Sequence, residues 1–158
     1  MQCRQRFGFR FCKQNSIKDK ERYGMRQYEA SNIRNIAVVG HGGSGKTSLV
    51  EALLYRTGAI DRLGKATDGT TVSDYDPEEI KRKASLSLSI IPIEYSDVKI
   101  NLLDAPGLFD FALGQCEAMR AAGSALIVLS GKSGLTVGAR KAYKMAAKLK
   151  KPRAFFVS

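Results

Sequence analysis

Eight consecutive residues, numbered 40–47, read GHGGSGKT and match the pattern GxxxxGK[ST] in full. They follow a short apolar stretch at residues 36–39 and precede a stretch with helical spacing at residues 47–57. A glycine-rich loop between a strand and a helix turns successive backbone N–H groups around an anion, and the helix aims its positive dipole end at the same point. The pattern therefore predicts a loop that holds the phosphate groups of a nucleotide.

Each residue type in this loop has a predicted role. The predicted nucleotide-binding residues are Gly40, His41, Gly42, Gly43, Ser44, Gly45, Lys46 and Thr47. The Lys46 ammonium would reach the outer phosphates and the Thr47 hydroxyl a magnesium ion. His41 is the only histidine of the chain, so we expect it to shape the loop and not to catalyse. A glycine-rich turn without a ligand is the alternative, and average glycine usage of about 7% makes a chance match rare.

A second motif, Asp104-Ala105-Pro106-Gly107, directly follows an apolar stretch at residues 98–103. A carboxylate at this place can hold magnesium through water, while the glycine N–H faces the terminal phosphate. The motif alone is weak, because Asp104 could simply cap the turn that Pro106 and Gly107 form. Together with the upstream loop, it favours a GTPase over a kinase or an ATPase of another branch.

Hydrophobic periodicity alternates between strands and helices along the chain. Strands are predicted at residues 36–39, from Leu86 onward, at 98–103, 125–129 and 154–157, and helices at 47–57, 111–122 and before Pro152. This order predicts an α/β fold with a mostly parallel sheet, helices on both faces and the ligand at the carboxyl ends of the strands. Residues 58–84 lack sustained periodicity and are too long for an ordinary connection, so we expect either a functional loop or disorder there.

Charged residues are distributed unevenly along the chain. Its 158 residues suffice for one domain and a tail, and its formal net charge is +11. Residues 1–26 contain eight basic and two acidic residues, which predicts a disordered basic arm, with an organelle transit peptide as the alternative. The remaining positive charge favours a polyanionic partner such as ribosomal RNA, although a solvated basic face explains it nearly as well.

Cysteine spacing and hydropathy argue against a disulfide framework and against a membrane-spanning protein. The three cysteines, Cys3, Cys12 and Cys116, show no CxxC spacing, which is typical of reduced thiols in a cytosolic protein. No apolar run approaches the roughly 20 residues that a membrane-spanning helix needs. We therefore expect a soluble cytoplasmic protein without a membrane partner.

Three segments carry a specific resemblance to a known family. They are GHGGSGKTSLVEALLYRTGAIDRLGK at residues 40–65, DGTTVSDYDPEEIKRK at 68–83 and VKINLLDAPGLFDF at 98–111. From about Asn32 to Ser158 the chain resembles the GTPase domain of translational GTPases of the elongation factor G family, and most of all the elongation factor G-like branch. The resemblance implies a P-loop NTPase fold of the translational GTPase type, GTP or GDP with Mg²⁺ as cofactors, and the ribosome as partner, with no DNA.

The resemblance also implies a division of the chain and roles for its residues. Residues 1–31 would be the basic arm and residues 32–158 an incomplete P-loop GTPase domain. Thr47 and Ser85 would supply the hydroxyls near magnesium, with Asp104 reaching the ion through water. Asp104 and Gly107 would sense the terminal phosphate.

The role implied for Ser85 depends on the alignment of the family's first switch. Asp74, Glu79 and Arg82 match acidic and arginine positions of that segment. The match places Ser85 where the family usually has threonine.

Two substitutions depart from the family pattern near the phosphates. Leu108 stands where the family usually has the histidine that orients the attacking water, and a hydrocarbon side chain can neither donate to nor accept from that water. We therefore expect slow intrinsic hydrolysis and assign no catalytic residue. Gly43 replaces an aspartate that many translational GTPases carry, so a further cation held by that carboxylate is not expected.

A third departure concerns the guanine base. The family's Asn-Lys-x-Asp motif should begin at the end of the last predicted strand, where this sequence has Ser158 at the asparagine position. We therefore interpret the sequence as a fragment that stops before the last strand and helix of the GTPase domain. Without the carboxylate that pairs with guanine, discrimination of GTP from ATP should fall.

The sequence supports three readings of function. The first is the GTP-binding domain of an elongation factor G-like GTPase, with Mg-dependent hydrolysis coupled to the ribosome in protein synthesis. The second is a nucleotide-gated ribosome-binding module with little or no hydrolysis, which Leu108 favours. The third is a non-functional truncated remnant. Enzyme status, oligomeric state and the role of the basic arm stay open at this point.

Overall fold

The computed structural model describes residues 28–158, so most of the predicted basic arm lies outside the described residues. Five strands and four α-helices follow one another along this part of the chain. In order they are β1 (Ile33–Gly40), α1 (Lys46–Arg56), α2 (Pro77–Arg82), β2 (Ser89–Tyr95), β3 (Val98–Asp104), α3 (Ala112–Ala121), β4 (Ser124–Leu129), α4 (Val137–Lys148) and β5 (Arg153–Val157).

The strands form one sheet in the order β2-β3-β1-β4-β5. Strand β1 pairs in parallel with β3 on one side and with β4 on the other, and β5 continues the parallel set beyond β4. Only β2 is antiparallel to its neighbour β3, as a short hairpin connection requires. The predicted α/β fold with a mostly parallel sheet is therefore confirmed.

Apolar residues cover both faces of the sheet. On one face, Val39, Leu103 and Ile127 pack with buried residues of α3 and α4. On the other face, Val38 and Leu102 pack with the buried side of α1. Because consecutive residues of β1 point to opposite faces, its uninterrupted apolar run serves both clusters.

Helix α4 shows how its sequence selects the buried side. Ala139, Ala142 and Ala146 recur at helical spacing and are almost fully buried against the sheet. Small side chains let the helix lie close to the strands, while the lysines of the helix remain on its exposed side. The helix ends before Pro152, as the sequence predicted, and β5 directly follows that proline.

Two predictions about the middle of the chain need correction. The strand expected from Leu86 begins only at Ser89 and continues to Tyr95, because Leu86 and Ser87 donate their backbone N–H groups to a side chain and not to a strand. The segment at residues 58–84, predicted as an irregular loop, contains the short helix α2. Helix α2 starts with a capping box. The Asp76 side chain accepts from the backbone N–H of Glu79, and the Glu79 side chain accepts from the backbone N–H of Asp76.

Candidate functional site

The two predicted phosphate motifs meet at the carboxyl ends of neighbouring strands. In the parallel pair of β1 and β3, Val38 is the register partner of Asp104. The N–H of Ala105 donates to the carbonyl of Val38 at 3.1 Å, which extends the ladder past the end of β3. The loop after β1 and the turn after β3 are therefore side by side.

Glycine is required at two points of this arrangement. Gly45 precedes α1 in the left-handed conformation, with φ of 86°, so that the loop can enter the helix. At Gly107, an added Cβ would lie 2.7 Å from the N of Gly42 and even closer to the Lys46 ammonium. The backbones of the loop and the turn can therefore approach this closely because Gly107 lacks a side chain.

The Lys46 side chain lies inside this junction. Its Nζ donates to the carbonyl of His41 at 2.9 Å, and the residue is 6% exposed. Burial lowers the pKa of Lys46, and the carboxylates of Asp104 and Asp74 oppose that shift. A cation already taken out of water and held near the loop amides is suited to bind phosphate oxygens.

Three predicted magnesium residues come together beside the lysine. The Oγ1 of Thr47 donates to Oδ2 of Asp104 at 2.9 Å and lies 3.2 Å from the Oγ of Ser85. Thr47 lies on α1, Ser85 follows α2 and Asp104 ends β3. Ser85 and Asp104 are thus 38 and 57 positions from Thr47 along the chain. Their oxygen atoms form the kind of donor set that a hard divalent cation prefers.

Asp104 is the most deeply buried carboxylate of this group. Burial raises its pKa to about 7, against the lowering effects of the Lys46 charge and the Thr47 hydrogen bond. Its Oδ1 is buried without a hydrogen-bond partner among residues 28–158. A buried oxygen without a partner is costly, so the residues present fit a hydrated Mg²⁺ ion that would supply the missing contact.

Asp74 is a buried residue of this site that the predicted site residues did not include. It is 5% exposed, and its Oδ1 also has no partner within the described part of the chain. Burial raises its pKa, while the hydrogen bond with Ser85 lowers it. The alignment of the first switch placed Asp74 in the right segment, but nothing in the local pattern indicated that the fold would bury it.

The comparison with known families rests on nearly all the described residues. Residues 31–158 match the family model described as the elongation factor Tu GTP binding domain. The chain belongs to this GTPase family. Its fold is accordingly the P-loop fold of translational GTPases, as the resemblance implied.

Curated relatives place the chain near elongation factor G-like proteins. It is 37% identical over 127 residues to an elongation factor G-like protein of Mycobacterium tuberculosis, covering 80% of this chain and 18% of that protein. It is 33% identical over 129 residues to a mitochondrial ribosome-releasing factor 2 of Candida dubliniensis, covering 82% of this chain and 16% of that protein. The chain thus spans less than a fifth of the length of these relatives.

Solved structures share the fold of this chain. A crystal structure of a protein from Thermus thermophilus matches with a TM-score of 0.78 and 41% identity, covering 81% of this chain and 19% of that one. A bacterial selenocysteine-specific elongation factor shares the fold at a TM-score of 0.60 and 20% identity, over 77% of this chain and 19% of that one.

In this GTPase domain, the phosphate motifs border an open cleft with an empty volume of about 690 Å³. Its lining includes Gly42, Gly43, Gly45, Lys46, Thr47, Ser48, Asp74, Lys83, Ser85, Gly107 and Leu108. Leu108 is 38% exposed and lies against the phosphate loop, since a Cβ on Gly42 would be 3.1 Å from its Cδ2. The position that the family usually gives to histidine therefore presents a hydrocarbon to the cleft.

Two further residues fix the phosphate loop of the GTPase domain from the side of β4 and β5. Ser158 donates its Oγ to the carbonyl of Ser44 at 3.0 Å, so the residue that follows β5 lies beside the loop. His41 packs against the start of α4, because a Cβ on Gly138 would be 2.9 Å from the His41 Cα. This packing fits the expectation that His41 shapes the loop.

The structure also reveals what holds the segment after α1 in place, which sequence reasoning missed. Glu51 of α1 is 1% exposed and accepts hydrogen bonds from the backbone N–H groups of Gly64 and Val72. Glu79 of α2 is 2% exposed and accepts from Leu86 and Ser87, each at 3.0 Å. An acidic residue inside an amphipathic helix is the sequence signal for such a role. In the sequence alone, however, it cannot be told from an ordinary exposed polar residue.

Proposed function

We propose that this chain is the GTP-binding part of an elongation factor G-like translational GTPase, which binds GTP or GDP together with Mg²⁺. The proposal rests on Lys46 and Thr47, which line one cleft, together with Asp104, which accepts a hydrogen bond from the Thr47 hydroxyl behind it. Loop amides and the start of α1 would bind the phosphates. Thr47, Ser85 and Asp104 would hold the ion, with Asp104 acting through water.

In a longer protein that contains this domain, hydrolysis would be an in-line attack of water on the terminal phosphate. When bound, Mg²⁺ would neutralise part of the charge on the outer phosphates. The Lys46 ammonium would stabilise the negative charge that develops on the phosphate oxygens, and the backbone N–H of Gly107 would face the terminal phosphate.

The exposed Leu108 side chain favours a second candidate function for the same cleft. A hydrocarbon at the mouth of the cleft cannot orient water, so bound GTP would persist. The protein would then act as a nucleotide-gated module that occupies the ribosome with little hydrolysis. The two candidates share the nucleotide site and differ in turnover.

The proposed ribosomal partner is supported by charge as well as by the family. From residue 118 to residue 158 the sequence contains nine basic residues and no acidic ones. Several of these lie exposed on α4, including Arg140, Lys144 and Lys148 at four-residue spacing. A basic face of this kind attracts the phosphate backbone of RNA. With the ribosome as partner, we propose the cytoplasm as the site of action.

Membrane insertion gains no support from residues 28–158, none of whose helices is long and apolar enough to cross a bilayer. No DNA partner is proposed, because the basic face is sufficiently explained by ribosomal RNA.

The deciding experiment measures binding of a fluorescent GDP analogue to the purified chain with Mg²⁺, competed by unlabelled GDP and by ADP. The proposal expects binding that Lys46→Met weakens at least tenfold, because the phosphate cation is lost. Displacement by GDP and ADP alike would indicate a phosphate site without base recognition. Absence of binding by a folded chain would contradict the proposal and favour a non-functional remnant.

A further inference from the structure

A strained lysine lies at the edge of the nucleotide cleft. Lys83 directly follows α2 with φ of 53° and ψ of 39°, the left-handed conformation in which helices usually place glycine. For a residue with a Cβ this conformation is unfavourable. Three other non-glycine residues in the described part of the chain have positive φ, namely Ser96, Asp97 and Lys150, but only Lys83 lines the cleft.

The Lys83 side chain is not used to stabilise the fold. The residue is exposed, and its ammonium makes no hydrogen bond or ion pair with any residue between 28 and 158. Its neighbour Arg82, by contrast, pairs with Glu78 at 2.7 Å. The left-handed backbone of Lys83 ends α2, whereas its ammonium is an unpaired cation at the border of the cleft and is available to a ligand.

The charges of the cleft indicate which ligand Lys83 would bind. Lys46 is the other lysine that lines it, and its ammonium already contacts the His41 carbonyl and faces Asp104 and Asp74. Lys83 is thus the second side-chain cation of the cleft lining. A nucleoside triphosphate has one more phosphate group than a diphosphate, so a second positive side chain near the outer phosphate would favour the triphosphate.

We propose that the Lys83 ammonium is a second phosphate-binding cation, which contacts the outer phosphate of a bound nucleoside triphosphate and favours it over the diphosphate. Lysine suits this role because its ammonium is a compact charge on a flexible stem. The inference rests on the proposed binding of GTP at this cleft.

The position of Lys83 also couples the contact to the first switch. Lys83 closes α2, and its N–H donates to the carbonyls of Glu79 and Ile80. Two residues later, Ser85 lies 3.2 Å from the Thr47 hydroxyl. A phosphate held by Lys83 therefore fixes the end of α2 and the Ser85 hydroxyl together. Triphosphate binding should thus protect the α2 segment from proteolysis.

The test compares affinities for a fluorescent GDP analogue and a fluorescent, non-hydrolysable GTP analogue, both with Mg²⁺. Lys83→Met should lose about tenfold in affinity for the triphosphate, the worth of one charge-assisted hydrogen bond, and less than twofold for the diphosphate. Lys83→Arg should retain most of the preference. Lys81→Met is the matched control, because Lys81 is exposed on α2 and does not line the cleft.

Lys83→Gly separates ligand binding from backbone strain. Glycine adopts the left-handed conformation freely, so the melting temperature should rise by about 2 °C while the preference for the triphosphate falls. Limited proteolysis should find the α2 segment protected by the GTP analogue in the wild-type chain and less protected in Lys83→Gly.

The outcomes distinguish a failure of the proposed role of Lys83 from a failure of the proposed nucleotide binding. A wild-type chain that binds neither analogue overturns both. A wild-type chain that binds both, with Lys83→Met unchanged or equally weakened for the two nucleotides, overturns the inference and leaves the proposed function standing. A loss of triphosphate preference by Lys81→Met as well would also overturn it, because general surface charge would then be the cause.

Discussion

At the scale of single residues, Asp104 is a carboxyl group whose surroundings disfavour its charged form. It is fully buried at the end of β3, and burial raises its pKa from 3.8 to about 7. Between these pH values the folded chain binds a proton at Asp104 that the unfolded chain does not. The free energy of unfolding therefore falls as pH rises from about 4 to about 7.

The first prediction follows from this sign. For the chain without nucleotide and metal, Asp104→Asn should flatten the fall in stability between pH 5 and pH 8, because the amide cannot ionise. Urea unfolding across this pH range measures it, with the exposed residue Asp110 changed to asparagine as control. An unchanged slope in Asp104→Asn would show that another group causes the pH dependence. The same variant should bind nucleotide with Mg²⁺ at least tenfold more weakly, since a carboxylate that holds the ion is lost.

The second prediction concerns Leu108. In a longer protein that contains this domain, Leu108→His should raise ribosome-stimulated GTP turnover at least tenfold, because an imidazole can orient the attacking water. Leu108→Met serves as control, since it keeps a hydrocarbon at the same place. Release of phosphate in single-turnover reactions measures the effect. Equal rates for the histidine variant and the parent would mean that water positioning does not limit turnover.

At the scale of elements, buried carboxylates connect helices to irregular backbone. Glu51 joins α1 to residues 64 and 72, and Glu79 joins α2 to residues 86 and 87. Glu51 accepts from two backbone N–H groups that have no strand partner, and Glu79 accepts from three, including that of Asp76. The segment between α1 and β2 is thereby fastened at two points, and Ser85 lies next to the second of them.

The third prediction tests the first of these fastenings. Glu51→Ala should lower the free energy of unfolding by about 2–3 kcal/mol, because two N–H groups lose a charged acceptor inside the protein. Proteolysis of residues 58–84 should become faster. Glu78→Ala is the control: Glu78 forms only an exposed ion pair with Arg82, which contributes about 0–1 kcal/mol. Similar losses for both variants would contradict the proposed role of Glu51.

At the scale of the whole molecule, basic residues are concentrated toward the C-terminal part of the sequence. The exposed basic residues of α4 belong to a stretch, residues 118–158, that contains no acidic residue. Long-range attraction of a polyanion would therefore be directed toward the α4 face.

The fourth prediction follows from this asymmetry. In a longer protein that contains this domain, the double change Lys144→Gln and Lys148→Gln should weaken ribosome binding and reduce its dependence on salt, because fewer counterions are released. Lys81→Gln with Lys99→Gln removes the same charge elsewhere and is the control. Binding measured from about 50 to 200 mM salt tests it, and equal slopes for the two double variants would contradict the prediction.

The sequence predicted the framework of the molecule because that framework depends on local patterns. Apolar runs marked the parallel strands, and the spacing of Leu53, Leu54, Ala142 and Ala146 marked the sides of helices that pack on them. The phosphate loop and Asp104 could be located from motifs that require particular residues. Helix α2 was missed although Asp76-Pro77-Glu78-Glu79 is a typical helix start, because six residues are too few to show periodicity.

The burial of Glu51, Asp74 and Glu79 could not be predicted in the same way. Each is an acidic residue, and such residues are almost never buried unless paired. Their partners are backbone groups and hydroxyls brought near by tertiary structure, as with Asp74 and Ser85. Only the assembled sheet, with α1 across one face, determines which carboxylates lose contact with water.

Helix α1 carries Lys46 and Thr47 in its first turn and Glu51 in the next. One rigid element therefore both faces the cleft and anchors residues 64 and 72. The consequence is preorganisation: these anchored residues are immobilised when the domain folds, and not when a nucleotide arrives. Because ordering one residue's backbone costs about 1–2 kcal/mol, each residue fixed in advance leaves that much more of the interaction energy as affinity.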